Sequence, residues 1–407
     1  MIVGLKNKIQ MSYTSNKELM QLGPQELMDL IPRDKYELFK KFVHEMNRRE
    51  YEVRFQRSCN WDEFRHEANH DDFGYGFMVD GHAVPYFHPN RSFHDEIIWL
   101  NENVFYNPAC KFEDMLINAA IVKFYGPSNT ISLITEGTGN DFIVYDKLIN
   151  DEKYVLQCMQ NLENAKRRGE KIYGTTELRT SLQTESRNYT RQLVTPYDAL
   201  LNKEIDPTRT SRSSDMFYWF TLLGPQFKDF YSQKPTMEQS FNFLSSFRGI
   251  GNYYGYHFST NLARMPEIGT HHLLPPGTPS GNLSEDDDFV APGVGAMITI
   301  NWFYEHLGFS ITPEVGANLI RGIRDNQDQF FDFTGKNKEI IDVISEIGKF
   351  TTFGCEISCC QFGVFLRLRD NKKLASKRSM APINKEEINP DGSVTQPTTY
   401  KSFCLFE

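Results

Sequence analysis

Two glycines separated by one residue interrupt an apolar-periodic stretch in the segment FLSSFRGIGNYYGYHFSTNL, which runs from Phe243 to Leu262. Glycine adopts backbone conformations that other residues avoid, and it lets another group approach the backbone closely. The pattern therefore predicts two helices joined by a tight turn, with Asn252 capping the second helix. The first N–H groups of that helix would form a nest for an anion such as a DNA phosphate. A plain turn between two helices is the alternative.

Signals on both sides of this turn predict the two helices. Thr236 followed by Gln239 forms a capping-box pair at the start of the first helix. In the second helix, Tyr254, Phe258 and Leu262 recur every four residues and would line one face. The residues expected to contact DNA are Arg248, Gly249, Gly251, Asn252 and Tyr253.

Helical patterns dominate the rest of the 407-residue chain. Segments starting at Phe112, spanning 151–169 and starting at Thr312-Pro313 all carry helical periodicity or caps. Residues 355–368 are consistent with either a strand or a buried helix. We expect an N-terminal region over 1–100, a catalytic domain over 101–370 and a C-terminal tail over 371–407.

Composition excludes several classes of protein. The formal net charge of −9 argues against a nonspecific nucleic-acid coat, which would be basic, although a local basic groove is compatible with it. A GxxxxGK[ST] phosphate-binding motif is absent, which argues against a P-loop kinase, and no apolar run approaches the length of a membrane span. The odd number of cysteines, seven, and the lack of a signal-peptide pattern predict a cytoplasmic protein with reduced thiols.

The order of several motifs resembles the alpha-glutamyl/putrescinyl thymine pyrophosphorylase family, the amino acid:DNA transferases of bacteriophages. Within roughly 101–369, the segments that carry the resemblance are INAAIVKFYGPSNTISLI, RRGEKIYGTTELRT, LSSFRGIGNYYGYHFSTNL, DDDFVAPGVGA and CEISCCQFGVFLRL. The turn Ala-Pro-Gly-Val-Gly differs from the family's Gly-Pro-Gly, and the arginine that often follows it is absent. The resemblance implies a mainly α fold of the helix-hairpin-helix DNA glycosylase type, with N-terminal and C-terminal additions. It also implies a transferase that joins an amine to pyrophosphorylated 5-hydroxymethyluracil in double-stranded DNA.

Such chemistry needs a carboxylate to deprotonate the amine and cations to receive the leaving pyrophosphate. Asp287 and Asp288 are the candidate bases, because neighbouring like charges raise one pKa. Lys123, Arg248 and Arg179 are candidate cations. The alternative for Lys123 is an exposed helical lysine, and the alternative for Arg248 is a contact with a DNA phosphate. Glu356 is a candidate for recognising the amine.

A flipped base also needs an apolar or aromatic surface to stack against or to replace it in the duplex. Tyr253, Tyr254 and Tyr256 are candidates, with helix packing as the alternative. Tyr254 is assigned to the substrate-binding residues.

The sequence requires no cofactor, although Mg²⁺ with the pyrophosphate or a monovalent cation at the hairpin could take part. No protein-bound metal is expected, because His66 and His70 are spaced like many surface histidines. Two other functions remain open: a monofunctional DNA glycosylase and a non-enzymatic DNA-binding module. A lyase is disfavoured because Tyr253 stands where its lysine would be.

Overall fold

The computed structural model describes residues 13–40, 42–43, 78–79, 82–83, 95–125, 129–170, 172, 212–247, 250–270, 281–284, 288–329 and 350–370. These residues are mainly helical, which confirms the predicted class. The glycosylase-like arrangement of the helices stays a prediction. The chain divides into a central unit, Asn90–Phe289, and a terminal unit made of Met1–Pro89 and Val290–Glu407.

The central unit contains eight helices among its described residues. They are α4 (Asp95–Leu100), α5 (Phe112–Tyr125), α6 (Asn129–Thr135), α7 (Tyr145–Asn150), α8 (Glu152–Arg167), α9 (Arg212–Tyr231), α10 (Met237–Ser245) and α11 (Asn252–Leu262). A π-helix, Asn101–Phe105, continues α4.

Helix α5 is the core of the central unit, since every residue from Leu116 to Tyr125 is buried. Its predicted start at Phe112 is confirmed. The ring of Phe124 packs against Phe220 of α9 and against Tyr254 and Phe258 of α11, with centroids 4.8–5.6 Å apart. This aromatic contact joins α5, α9 and α11.

Polar side chains fix the connections around this core. The Asp114 carboxylate accepts the backbone N–H of Tyr145 at 2.7 Å, and Asn118 exchanges two hydrogen bonds with the backbone of Ile143. Hydroxyl groups of Tyr231, Ser240 and Ser259 form a buried chain with spacings of 2.8 and 2.7 Å. Because these three residues lie on α9, α10 and α11, the chain aligns the helices on both sides of the glycine turn.

The terminal unit combines elements from both ends of the chain. It contains α1 (Asn16–Leu19), α2 (Pro24–Asp29), α3 (33–40 and 42–43), β1 (Met78–Val79), β2 (His82–Ala83), α12 (Val294–Phe303), α13 (Pro313–Asp325) and α14 (Thr352–Asp370), together with 3₁₀ turns at Glu305–Leu307 and Gln327–Gln329. The two strands pair antiparallel, with Met78 opposite Ala83. The 355–368 segment, open between strand and helix on sequence, is helical.

Specific contacts attach the N-terminal helices to α12 and α13. The Tyr304 hydroxyl donates to the carbonyl of Leu27 at 2.8 Å, and the Lys35 ammonium pairs with Glu305 at 2.5 Å. At Gly322 of α13, a Cβ atom would lie only 2.6 Å from the carbonyl oxygen of Pro24. Helices α2 and α13 therefore pack backbone to backbone, and a larger residue at Gly322 would separate them.

Candidate functional site

The glycine turn lies between two helices that pack against each other, as the sequence predicts. The capping box is confirmed: the Thr236 hydroxyl accepts the Gln239 N–H at 3.3 Å, and the Gln239 side chain accepts the Thr236 N–H at 2.9 Å. The N-cap of α11 is Gly251, so the prediction that Asn252 caps this helix is wrong by one residue. Asn252 occupies the first helical position, where its backbone N–H belongs to the exposed first turn.

Gly251 leaves open space in front of the first turn of α11. Its φ of −72° and ψ of 177° are ordinary extended values, so a left-handed conformation is not what requires glycine there. A Cβ atom at Gly251 would meet nothing within 4 Å. No side chain among the described residues caps this N-terminus. The space at Gly251 and the lack of a side-chain cap are both compatible with the close approach of a phosphate to this helix end.

The three tyrosines of α11 differ in exposure. Tyr253 is 40% exposed, whereas Tyr254 and Tyr256 are 7% and 2% exposed. Tyr253 stacks near His257, with ring centroids 4.1 Å apart, and this contact supports its ring at the helix surface. Tyr253 is the tyrosine able to contact a ligand from solvent, and Tyr254 and Tyr256 pack inside the unit.

Lys123 is buried inside the central unit. Its side chain is 3% exposed, and its ammonium lies 3.6 Å from the carboxylate of Glu96, which is 13% exposed. An exposed helical lysine, the alternative from sequence, is therefore excluded. Burying a charge costs free energy unless an opposite charge compensates it, and the Glu96 carboxylate provides such compensation for Lys123.

The remaining predicted residues of the central unit can be placed only in part. Asp288 is exposed and directly precedes Phe289, whose ring packs 5.1 Å from Phe241 and 6.0 Å from Tyr256. Phe289, the neighbour of Asp288, therefore packs against α10 and α11. Four predicted residues lie outside the described part of the chain: Arg179, Arg248, Gly249 and Asp287. His66 and His70 also lie outside it.

Glu356 is a buried carboxyl in the terminal unit. It is 1% exposed, and its Oε1 accepts the backbone N–H of Gly293 at 2.9 Å. Its Oε2 accepts no hydrogen bond from any residue that the structure describes. Burial raises the pKa of Glu356 to about 7, and the hydrogen bond from Gly293 opposes this rise. A pKa near neutrality suits a carboxyl group that recognises an amine or acts as a base.

Cys359 and Cys360 of α14 have raised thiol pKa values, which favour the protonated form. Burial raises the pKa of Cys359 well above its ordinary value, and Cys355 and Glu356 add to that rise. Burial likewise raises the pKa of Cys360 to about 12. Within the described ranges, no group of three metal-ligating side chains comes together.

Sequence reasoning missed several buried polar residues of α11 and its C-terminal end. His257, Asn261 and Arg264 are 5%, 0% and 3% exposed. Arg264 lies near Tyr106, since its positive charge lowers the pKa of Tyr106 against the larger rise caused by burial. These residues recur every three to four positions, and this helical spacing is the sequence signal that could have predicted a polar face on α11.

Comparison with models of protein families matches residues 90–374 to the family described as "5-hmdU DNA kinase, helical domain". The match covers well over half of the 407 residues, including the whole glycine turn and Glu356. No curated protein and no solved structure matches the chain. Across the described residues, no helix combines the length and apolarity that crossing a membrane requires.

Proposed function

The chain belongs to the family of the 5-hmdU DNA kinase helical domain, and from this membership we propose that it acts on 5-hydroxymethyldeoxyuridine (5-hmdU) in DNA. The observation that carries the proposal is the family match over residues 90–374. The match supports DNA whose thymine methyl group has been hydroxylated as the substrate class. It also supports an enzyme that acts on modified DNA bases.

Within that class we propose amine transfer to the 5-methylene carbon of phosphorylated or pyrophosphorylated 5-hmdU. The nitrogen of a small amine attacks the methylene carbon, so that a C–N bond forms and the C–O bond to the pyrophosphate breaks. Pyrophosphate leaves with the electron pair of that bond, and the proton of the amine passes to a carboxylate. The reaction consumes no nucleotide and no oxidant.

Described residues supply groups of the types that this reaction needs. Asp288 is an exposed carboxylate and is the base of the proposal. Lys123, held by Glu96, supplies positive charge in the interior of the same unit. Open space at Gly251 and the exposed ring of Tyr253 offer a phosphate contact and a base contact at the start of α11.

Phosphoryl transfer to the 5-hydroxymethyl group is the second candidate, because the family description names a kinase. The sequence contains no GxxxxGK[ST] motif. A kinase reaction would therefore need nucleotide-binding residues of another kind or on another chain. In that case this chain would contribute recognition of the modified base.

Mass spectrometry of nucleosides separates the candidates. One duplex carries 5-hmdU and receives ATP with Mg²⁺, and a second carries pyrophosphorylated 5-hmdU and receives a mixture of amino acids and polyamines. Amine transfer predicts an amine-bearing nucleoside and free pyrophosphate from the second duplex alone. A phosphorylated nucleoside from the first duplex would favour the kinase, and an abasic product would favour a glycosylase. Unchanged nucleosides in both samples would contradict the proposal.

Asp288→Asn is the matched variant for this assay. Asp288 is exposed, and asparagine has nearly the same size and shape as aspartate, so the substitution removes the base with little change in packing. We expect at least about a hundredfold loss of turnover, as for other general bases. Asp325→Asn, at the exposed end of α13, is the control. Equal turnover by Asp288→Asn and the unmodified protein would remove Asp288 from the mechanism.

A further inference from the structure

The exposed aromatic ring at the start of α11 packs against two other rings of the same helix. The centroid of the Tyr253 ring lies 4.1 Å from that of His257, with an angle of 35° between the ring planes. The Tyr254 ring meets Tyr253 edge-on, with centroids 5.5 Å apart and an angle of 80°. Because helical side chains point towards the preceding turn, the imidazole of His257 lies against the side chain four positions before it.

The two supporting rings are anchored in the interior of the central unit. His257 and Tyr254 are both buried. The Tyr254 ring contacts Phe124 of α5, with centroids 5.6 Å apart, and Phe124 belongs to the aromatic core that joins α5, α9 and α11. Buried side chains are closely packed, so Tyr253, although 40% exposed, rests on rings that are themselves held in place.

Close packing also holds the helix from which Tyr253 projects. A Cβ atom at Gly255 would lie 2.7 Å from the hydroxyl oxygen of Ser245 on α10. One turn further along α11, the Ser259 hydroxyl lies 2.7 Å from that of Ser240, again on α10. Contacts at two successive turns therefore fix the start of α11 against its neighbour. Both the backbone and the ring of Tyr253 have a defined position at the surface of the central unit.

We propose that Tyr253 is the stacking surface for the modified base, and that His257 is a positioning residue that acts through the Tyr253 ring. This inference rests on the proposed function, in which the start of α11 contacts the DNA. Enzymes that react with a base commonly turn it out of the duplex and stack it against aromatic side chains. A ring that is already held in place loses less conformational entropy on binding than a mobile ring does. The tyrosine thus supplies the contact, and the imidazole holds the tyrosine in the orientation that the base needs.

The affinity for a duplex that carries 5-hmdU tests the stacking surface. Tyr253→Ala should weaken binding about tenfold or more, as is usual when an aromatic ring that stacks on a base is removed. Tyr253→Phe retains the ring and should bind as tightly as the unmodified protein. Fluorescence anisotropy measures these affinities, at a temperature where circular dichroism shows every variant to be folded.

A double-mutant cycle tests the positioning role of His257. His257→Ala should weaken binding to the same duplex about threefold to tenfold, because the freed Tyr253 ring must then be ordered on binding. His257→Phe supplies another ring and should restore the affinity. In the Tyr253→Ala background, His257→Ala should have no further effect, since the residue through which it acts is missing.

Two controls separate positioning from general loss of stability. Phe230→Ala removes another ring stack of the central unit, in which Phe230 lies 3.9 Å from Phe243, and it should lower the melting temperature without weakening binding. The second control is a duplex with an abasic site in place of 5-hmdU. The unmodified protein, Tyr253→Ala and His257→Ala should bind this duplex equally, because it offers no base to stack.

The outcomes separate failure of this inference from failure of the proposed function. Unchanged affinity of Tyr253→Ala for the 5-hmdU duplex would overturn the stacking surface. An effect of His257→Ala that persists without the Tyr253 ring, or on the abasic duplex, would show a structural role and overturn the positioning role. In both cases, product formation by the unmodified protein leaves the proposed function standing. If the unmodified protein neither prefers the 5-hmdU duplex nor forms product, both are wrong.

Discussion

Glu356 is a buried carboxyl whose pKa in the folded protein differs from its pKa in the unfolded chain. Its folded pKa of about 7 lies above the ordinary value of 4.5, so the folded protein binds this proton more tightly than the unfolded chain does. The resulting stabilisation is fully present below about pH 4.5 and is lost as the pH rises through 7. This difference between the folded and unfolded pKa values corresponds to a loss of roughly 3 kcal/mol of stability by pH 8.

Glu356→Gln removes this ionisation. We expect the free energy of unfolding of the variant to match that of the unmodified protein near pH 5 and to exceed it by roughly 3 kcal/mol near pH 8. Urea denaturation at a series of pH values measures the free energy of unfolding of the variant and of the unmodified protein. Glu314→Gln is the control, since the pKa of the exposed Glu314 is lowered by hydrogen bonds, from its own backbone N–H first and from Thr312. Parallel stability curves for Glu356→Gln and the unmodified protein would show that Glu356 does not titrate near neutrality.

A double-mutant cycle measures the interaction energy between Lys123 and Glu96. Lys123→Met replaces the buried ammonium beside the Glu96 carboxylate by an apolar side chain, and we expect a loss of about 3 kcal/mol in unfolding free energy. Adding Glu96→Gln should recover part of that loss. The half-exposed Lys228–Glu113 pair of the same unit is the control, and Lys228→Met should cost much less because solvent screens the pair. Additive effects of Lys123→Met and Glu96→Gln would mean that the two residues do not depend on each other.

At the scale of single elements, the sequence predicted what local signals encode. The helix over 151–169 is observed as Glu152–Arg167, with Gly169 in the left-handed conformation at φ 76°. Caps act within one turn of the helix, so they can be read directly from the sequence. The burial of Lys123 could not be predicted from the sequence. Helix α5 is buried on all sides, so its residues form no separate polar and apolar faces. The bond between Glu356 and Gly293 joins residues 63 positions apart, a distance over which sequence periodicity carries no information.

Two glycines provide a contrast between close packing and open space. Gly363→Ala would place a methyl group 2.2 Å from the Gly295 carbonyl oxygen, so α12 and α14 must separate. We expect a loss of roughly 2 kcal/mol or more in unfolding free energy. Gly251→Ala is the control for stability, because its methyl group would meet nothing within 4 Å and its φ of −72° suits alanine. Thermal unfolding of both variants measures the difference, and equal melting temperatures would contradict the close helix crossing.

For the whole molecule, a net charge of −9 has to be reconciled with DNA as the proposed substrate. Long-range attraction to the duplex is weak for an acidic protein. Between Met237 and Leu262, the single lysine or arginine is Arg248. Lys123 and Arg264 are buried, so neither side chain contributes to binding the phosphates of the DNA backbone at the protein surface. Binding through the glycine turn must therefore depend mainly on backbone N–H groups and stacking, which release few counterions.

The salt dependence of duplex binding tests this arrangement. Each phosphate neutralised by a cationic side chain contributes about −0.9 to the slope of log K against log salt concentration, and we expect a total slope shallower than about −3. Fluorescence anisotropy over a range of salt concentrations provides the slope for a 5-hmdU duplex and for a matched thymine duplex. The two slopes should agree, because both duplexes present the same phosphates, while the affinities should differ in favour of 5-hmdU. A slope of about −6 or steeper would show that an extended cationic surface, and not the glycine turn, binds the DNA.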